Sequence, residues 1–156
     1  MSGCVARVDF LGTGNAFCPS GRMHALAILD EKILIDAPPT LLAQMRRSNI
    51  STGQVEHVLF THWHGDNAFG FPFLILDRKY ITDTSADKIL ALHHRPGGRE
   101  YLTSLSKLGF PGSLEDFLES RIFWNNEESG ILEGTEWSYE RFPVRHTPET
   151  DPHGYE

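Results

Sequence analysis

The stretch VEHVLFTHWHGDNAFGFPF, residues 55–73, constrains the fold more than any other part of the chain. Its first six residues, VEHVLF, contain a continuous apolar core, which predicts a strand covered on both faces rather than one lying on a surface. That strand runs directly into His62, His64 and Asp66. Residues two apart in an extended segment point to the same side, so the two imidazoles share a face. Such a pair suits one metal ion. Zinc accepts imidazole nitrogen readily, and a catalytic zinc keeps one position for water, which it makes more acidic. Asp66 is placed either to bind a second cation or to take the proton of that water.

The remaining elements follow from periodicity. Ala6, Val8 and Phe10 alternate with Arg7 and Asp9, the period of a half-buried strand. ALAILD and KILIDA read as two strands joined around Asp30-Glu31-Lys32. Pro38 and Pro39 open a helix carrying Leu41, Leu42 and Met45, which Asn49 and Gly53 help to end. KILALH is a further strand. Tyr101, Leu102, Leu105 and Leu108 fall at helical spacing, with Gly109 and Pro111 as a stop. SRIFWN and WSYERFPVRH are predicted strands, the second placing His146 at its end, and Phe69, Phe71 and Phe73 read as core. Strands alternating with helices, without repeats or low-complexity tracts, predict one α/β (α+β) domain over residues 1–156.

At 156 residues the chain can bury a real core. No basic segment precedes a long apolar run, and no apolar stretch approaches a bilayer span, so neither a signal peptide nor membrane association is expected and the cytoplasm is the default location. Cys4 and Cys18 form no disulfide framework and read as ordinary thiols. A net charge of −7 without any Lys/Arg run argues against an extended nucleic-acid footprint, while leaving room for a site that takes one phosphate group. Gly12-Thr13-Gly14 does not complete a dinucleotide fingerprint, because Phe17 stands where a small residue is needed; a tight turn near the metal is expected instead.

Thr61-His62-Trp63-His64-Gly65-Asp66-Asn67 resembles the T-H-x-H-x-D-H signature of the metallo-β-lactamase superfamily. LGTGNAFCP, ILIDA, Gly70 and the final VRHTPETDPHGYE resemble its ribonuclease Z-like branch. This likeness implies an αββα sandwich, of which the chain supplies about the first half, with a bridging aspartate and a last histidine drawn from the other half. It implies that His62, His64 and His146 hold one metal and that Asp66 belongs to the second site and to catalysis. The reaction implied is attack of metal-bound hydroxide on a phosphodiester.

Two departures modify that expectation. Asn67 stands where the signature has histidine, and a carboxamide is a poorer zinc ligand than imidazole, so one zinc site is expected and the second is weakened or lost. Manganese is the alternative metal. No Gly/Pro-rich basic arm lies between Phe73 and Trp137, which favours a small phosphodiester over transfer RNA. Hydrolysis of another ester, a thioester or a lactone on the same fold is the enzymatic alternative, and a non-catalytic, incomplete metal-binding protein is the other. An inner sheet face without its covering half predicts association as a homodimer. Asp36 is expected either to bond backbone or to orient a ligand histidine, and His24 to face either the pocket or the hairpin. His153 is a weaker ligand candidate, and His57, His93 and His94 offer no evident replacement for the missing ligands.

Overall fold

The computed structural model describes residues 5–85 and 87–156; Cys4 lies outside them. Six strands form one sheet in chain order: β1 (Val8–Gly12), β2 (Leu26–Leu29), β3 (Ile33–Ile35), β4 (His57–Leu59), β5 (Leu90–His93) and β6 (Ile122–Asn125). β1, β2 and β3 pair antiparallel, and β3 to β6 run parallel. The β2–β3 turn is tight because Asp30 and Glu31 both adopt left-handed backbone, with φ of 51° and 58°. With Lys32 N–H donated to Leu29 O at 3.0 Å, they reverse the chain within the three residues Asp30 to Lys32.

Parallel neighbours need crossovers, and helices supply them. α1 (Leu41–Arg47), α2 (Gly65–Ala68), α3 (Phe71–Asp77), α4 (Gly98–Gly109) and α5 (Glu115–Ser120) complete the order on that side. Leu41 and Met45 of α1, Phe71, Leu74 and Ile75 of α3, Leu102 of α4 and Phe117 of α5 close over Ile28, Leu34, Val58 and Leu92 to form the main core. No helix among the described residues is long and apolar enough to cross a membrane.

The registers sort the other face of the sheet into two rows. Val8, Leu29, Ile33, His57, Ala91 and Phe123 form one, and Phe10, Ala27, Ile35, Leu59, His93 and Asn125 the other. A second, antiparallel sheet of β7 (Ser129–Ile131), β8 (Ser138–Pro143) and β9 (His153–Tyr155) covers the middle of that face. Leu132 and Tyr139 pack there on Ile33 and Leu59, flanked by Trp137 and Tyr155. The flanks stay open: Phe10 is 74% exposed and Phe123 56%.

Four sequence expectations need correction. Val8 and Phe10 do share a face, but on an edge strand beyond the reach of the second sheet, so they are exposed rather than half-buried. Of the three phenylalanines read as core, Phe71 is buried, whereas Phe69 and Phe73 are exposed. The segment is helical, so residues two apart diverge around the axis instead of sharing a side. His146 lies beyond β8, which ends at Pro143, and the inner face expected to be bare is covered at its centre from within the chain.

Candidate metal centre

Thr61 to His64 leave the carboxyl end of β4, and Asp36 leaves the carboxyl end of β3 beside it. In open α/β sheets that edge is where sites are built. The segment is held from several directions. Trp63 N–H donates to Thr150 O at 3.0 Å, and His153 N–H donates to Thr61 O at 3.0 Å. These bonds zip the 146–155 segment along the β4 exit and bring His146 over it. The Trp63 ring stacks on Tyr101 of α4 with centroids 4.6 Å apart, and the Tyr101 hydroxyl donates to Trp63 O at 3.2 Å. Tyr155 reaches the same place, its hydroxyl bonded to Phe60 O at 2.8 Å, and burial pushes that hydroxyl's pKa up.

His62, His64 and His146 converge. One nitrogen from each lies within 4.8 Å of the other two. Ring centroids are 5.0, 4.9 and 4.9 Å apart, and every pair of planes is close to perpendicular, at 84°, 84° and 87°. His146 Nε2 and His64 Nδ1 approach to 3.1 Å. Nitrogens about 2.0–2.1 Å from a common tetrahedral zinc stand roughly 3.3 Å apart, so the donor set and its spread fit one such ion.

A relay fixes the protonation of His62. The Asp36 carboxylate accepts both the Thr61 N–H, at 2.8 Å, and the Thr61 hydroxyl, at 2.6 Å. While Asp36 is ionised that proton is committed to it, and Thr61 Oγ1 accepts from His62 Nδ1, 3.0 Å away. Nε2 is then the nitrogen that carries the lone pair, the form a metal ligand needs, and Asn67 Nδ2 stands 3.1 Å from it. Of the two roles open to Asp36, both are realised through Thr61: it bonds backbone and orients the histidine. Asp36 holds a left-handed backbone, φ 66°, and burial pushes its carboxyl up to about 7 against the two Thr61 bonds that hold it down. Burial also lowers the pKa of His62, as do His146 and His64 beside it.

Asp66 sits in the first turn of α2 and is not one of the three converging groups; its charge is felt at His62. Asn67 does reach the cluster, with Nδ2 3.1 Å from His62 Nε2. Gly70 closes this turn on Pro38, where any Cβ would lie 1.8 Å from the Pro38 carbonyl. His24 lies near Thr40 and the Ala16 carbonyl and is not one of the converging groups. His153 is buried between Asp151 O and the Tyr155 hydroxyl. His57 and His93, unassigned from sequence, form a buried pair at 2.9 Å; only the strand register could have revealed it.

The family described as Anti-Pycsar protein Apyc1 matches residues 6–152. The chain belongs to this family. It falls within the ribonuclease Z-like branch of the metallo-β-lactamase superfamily. Ribonuclease Z of Haloferax volcanii is 33% identical over 106 residues, which cover 66% of this chain and 32% of that protein. A diphosphatase from the PhnP family shares the fold with a TM-score of 0.64 at 22% identity, covering 97% of this chain and 62% of its own. Zinc-bound PqqB from Methylobacterium extorquens aligns with a TM-score of 0.59 at 14% identity, over 90% of this chain and 56% of that one. The chain spans 32% to 45% of the ribonuclease Z relatives it matches.

Proposed function

We propose that this Apyc1-family chain carries the metal centre of a hydrolase that cleaves small phosphodiesters. The observation that carries the reading is the convergence of His62, His64 and His146 at the carboxyl edge of the sheet, with Asp66 and Asn67 beside them. A cation held there supplies Lewis acidity to a phosphoryl oxygen and makes water a nucleophile near neutral pH. The protein's own groups do the rest. Asp36 and Thr61 keep His62 in the ligating tautomer, Trp63 and Tyr101 hold the loop, and Asp66 orients water and takes its proton. Ribonuclease Z relatives and the PhnP-family diphosphatase support hydrolysis at phosphorus.

One tight zinc, with manganese as the alternative, is the stoichiometry this reading adopts, because residue 67 offers an amide and not an imidazole. The described residues between Phe73 and Trp137 fold back into the body as β5, α4, α5, β6 and β7, which supports a compact substrate over transfer RNA. Association of two copies is part of the same reading, with the open flanks at Phe10 and Phe123 as the surface they would bury; light scattering checks it. The decisive assay is hydrolysis of bis(p-nitrophenyl) phosphate by zinc- or manganese-loaded protein, lost on Asp66→Ala. Cleavage of thioester or lactone probes in preference to the phosphodiester would replace this reading, and metal uptake without turnover of any ester would make the chain a binder.

A further inference from the structure

We infer that the chain carries a second binding site, for a flat aromatic molecule bearing one anionic group, at the edge of the sheet opposite the metal centre. A cavity of about 920 Å³ opens there, within the size range of pockets that hold small molecules. Its wall comes from the amino ends of β4 and β5, from β6 and from the β2–β3 turn, whereas His62, His64 and His146 meet at the carboxyl edge. Strand register shapes the floor. His57, Ala91 and Phe123 are successive cross-strand neighbours, so the strands bearing the two rings stand about 10 Å apart with only a methyl group between them. One further ring fits that interval at ordinary stacking separations. Val55 and Ile89 extend the apolar surface, and Phe123 and Ile89 remain 56% and 52% exposed.

The polar groups of the wall select the charge. Arg78 is only 1% exposed, yet it lines the cavity. Its Nε donates to Asp83 at 2.6 Å and its Nη1 to the Thr52 and Val55 carbonyls, while Nη2 makes no hydrogen bond among the described residues. A buried N–H without a partner is costly, and an acceptor in the cavity removes that cost. Lys88 stands on the same wall, its ammonium donating to Gly53 O at 3.3 Å and forming no ion pair among the described residues. Most acids of the wall are already engaged. Asp30 accepts from Arg7 N–H and Trp137 Nε1, Glu31 faces Arg7 and Gln54, and Glu56 pairs with Lys32 at 3.6 Å. Only Glu133 is left to oppose an anion, and it is exposed. An apolar slot one ring wide, with a buried donor and a free ammonium beside it, suits a ring that carries a carboxylate, sulfonate or phosphate.

The probe is 2-naphthoate, titrated calorimetrically into the protein, with 2-naphthamide as its uncharged control. Wild type should bind one equivalent and prefer the carboxylate by at least about threefold. Phe123→Ala removes one wall of the slot and should weaken 2-naphthoate by on the order of tenfold. Ala91→Phe fills the slot and should abolish binding, and Lys88→Gln should erase the preference for the carboxylate. Zinc affinity should stay within about twofold of wild type in all three, because the metal centre lies at the other edge and reports that the fold is intact. Phe123 is exposed, so its substitution tests the slot even where a larger residue at 91 disturbs the floor. The cavity shares no lining residue with the three converging histidines, so the site stands or falls independently of any hydrolysis. No saturable binding to wild type, or binding that Phe123→Ala and Ala91→Phe both leave unchanged, would overturn the site. Equal affinity for 2-naphthoate and 2-naphthamide would overturn its assignment to an anionic ligand.

Discussion

Two groups of histidines, one on β4 and β5 and the other in the segments that follow β4 and β8, are opposite in character. His57 and His93 are buried, and each ring nitrogen has a partner that fits in a single direction. His57 Nε2 donates to Glu133 O at 2.8 Å, so its Nδ1 accepts from His93 Nε2 at 2.9 Å. His93 Nδ1 then accepts from Asn125 Nδ2 at 2.8 Å, and Asn125 also donates to the Tyr139 hydroxyl at 2.8 Å. Burial lowers the pKa of His93, and nothing further is required. In the other group, one nitrogen each from His62, His64 and His146 converges within 4.8 Å of the other two at the carboxyl edge of the sheet. A relay that ends on a backbone carbonyl is structure; a convergence of lone pairs is a site for a cation.

That contrast breaks most readily under substitution. His62→Ala, His64→Ala or His146→Ala should weaken zinc binding by roughly a hundredfold or more, beyond the range seen for groups that merely support a ligand. Each should leave the unfolding midpoint of chelator-treated protein nearly unchanged. His93→Ala should do the reverse. It strands donors and acceptors inside the protein at a cost of about 2 kcal/mol, lowering the midpoint by roughly 4–8 °C while zinc affinity holds. Calorimetric titration and thermal scans on the four proteins check both halves.

Asp36→Asn is expected to weaken zinc binding by about tenfold to a hundredfold without touching the ion. An amide nitrogen in place of Oδ2 cannot accept the Thr61 proton, so the hydroxyl turns toward His62 and favours the tautomer that carries its hydrogen on Nε2. Retained affinity in this variant would show that the relay does not set the tautomer.

Acidification sharpens the contrast from the structural side. Burial, with help from His57 and Arg141, pushes His93 down to about 3 from an ordinary value near 6.5. The unfolded chain therefore takes up this proton first, so stability is full above about pH 6.5 and falls as pH drops from there toward 3. Between pH 6.5 and 5 the loss from this residue is roughly 2 kcal/mol. His94 and His153 are shifted in the same direction by burial and add to the slope. Urea unfolding at the two pH values measures it, and His93→Ala should flatten the dependence by close to one proton. The smallest effect belongs to Tyr101→Phe, which removes the bond to Trp63 O and keeps the stacked ring. Zinc affinity should fall by no more than about threefold, consistent with a hydrogen bond of roughly 0.5 kcal/mol.

The sequence made one of these two histidine groups legible and hid the other. His62 and His64 could be read because two-residue spacing at a strand end is a local signal, and His146 entered through its likeness to a known pattern. The strands and helices with clear periods, β2 to β5, α1 and α4, lie close to where alternation and helical spacing put them. β7 and β9 were missed because three residues between turns carry no period. His57 and His93 are 36 positions apart and meet only because β4 pairs parallel with β5, which places His57 opposite Ala91 and Leu59 opposite His93. The exposure of Val8 and Phe10 was hidden for the same reason in reverse: their strand lies at an edge of the sheet, and edge position is not written locally.

X-ray absorption on protein loaded with zinc and then dialysed bears most directly on the centre. One retained equivalent is expected, with three imidazole nitrogens at about 2.0–2.1 Å and the remaining coordination from oxygen. The three-imidazole shell should collapse in His146→Ala and persist in His93→Ala. Zinc that is lost on dialysis, or that keeps the same shell after His146 is removed, would contradict the assignment of His62, His64 and His146 as its ligands.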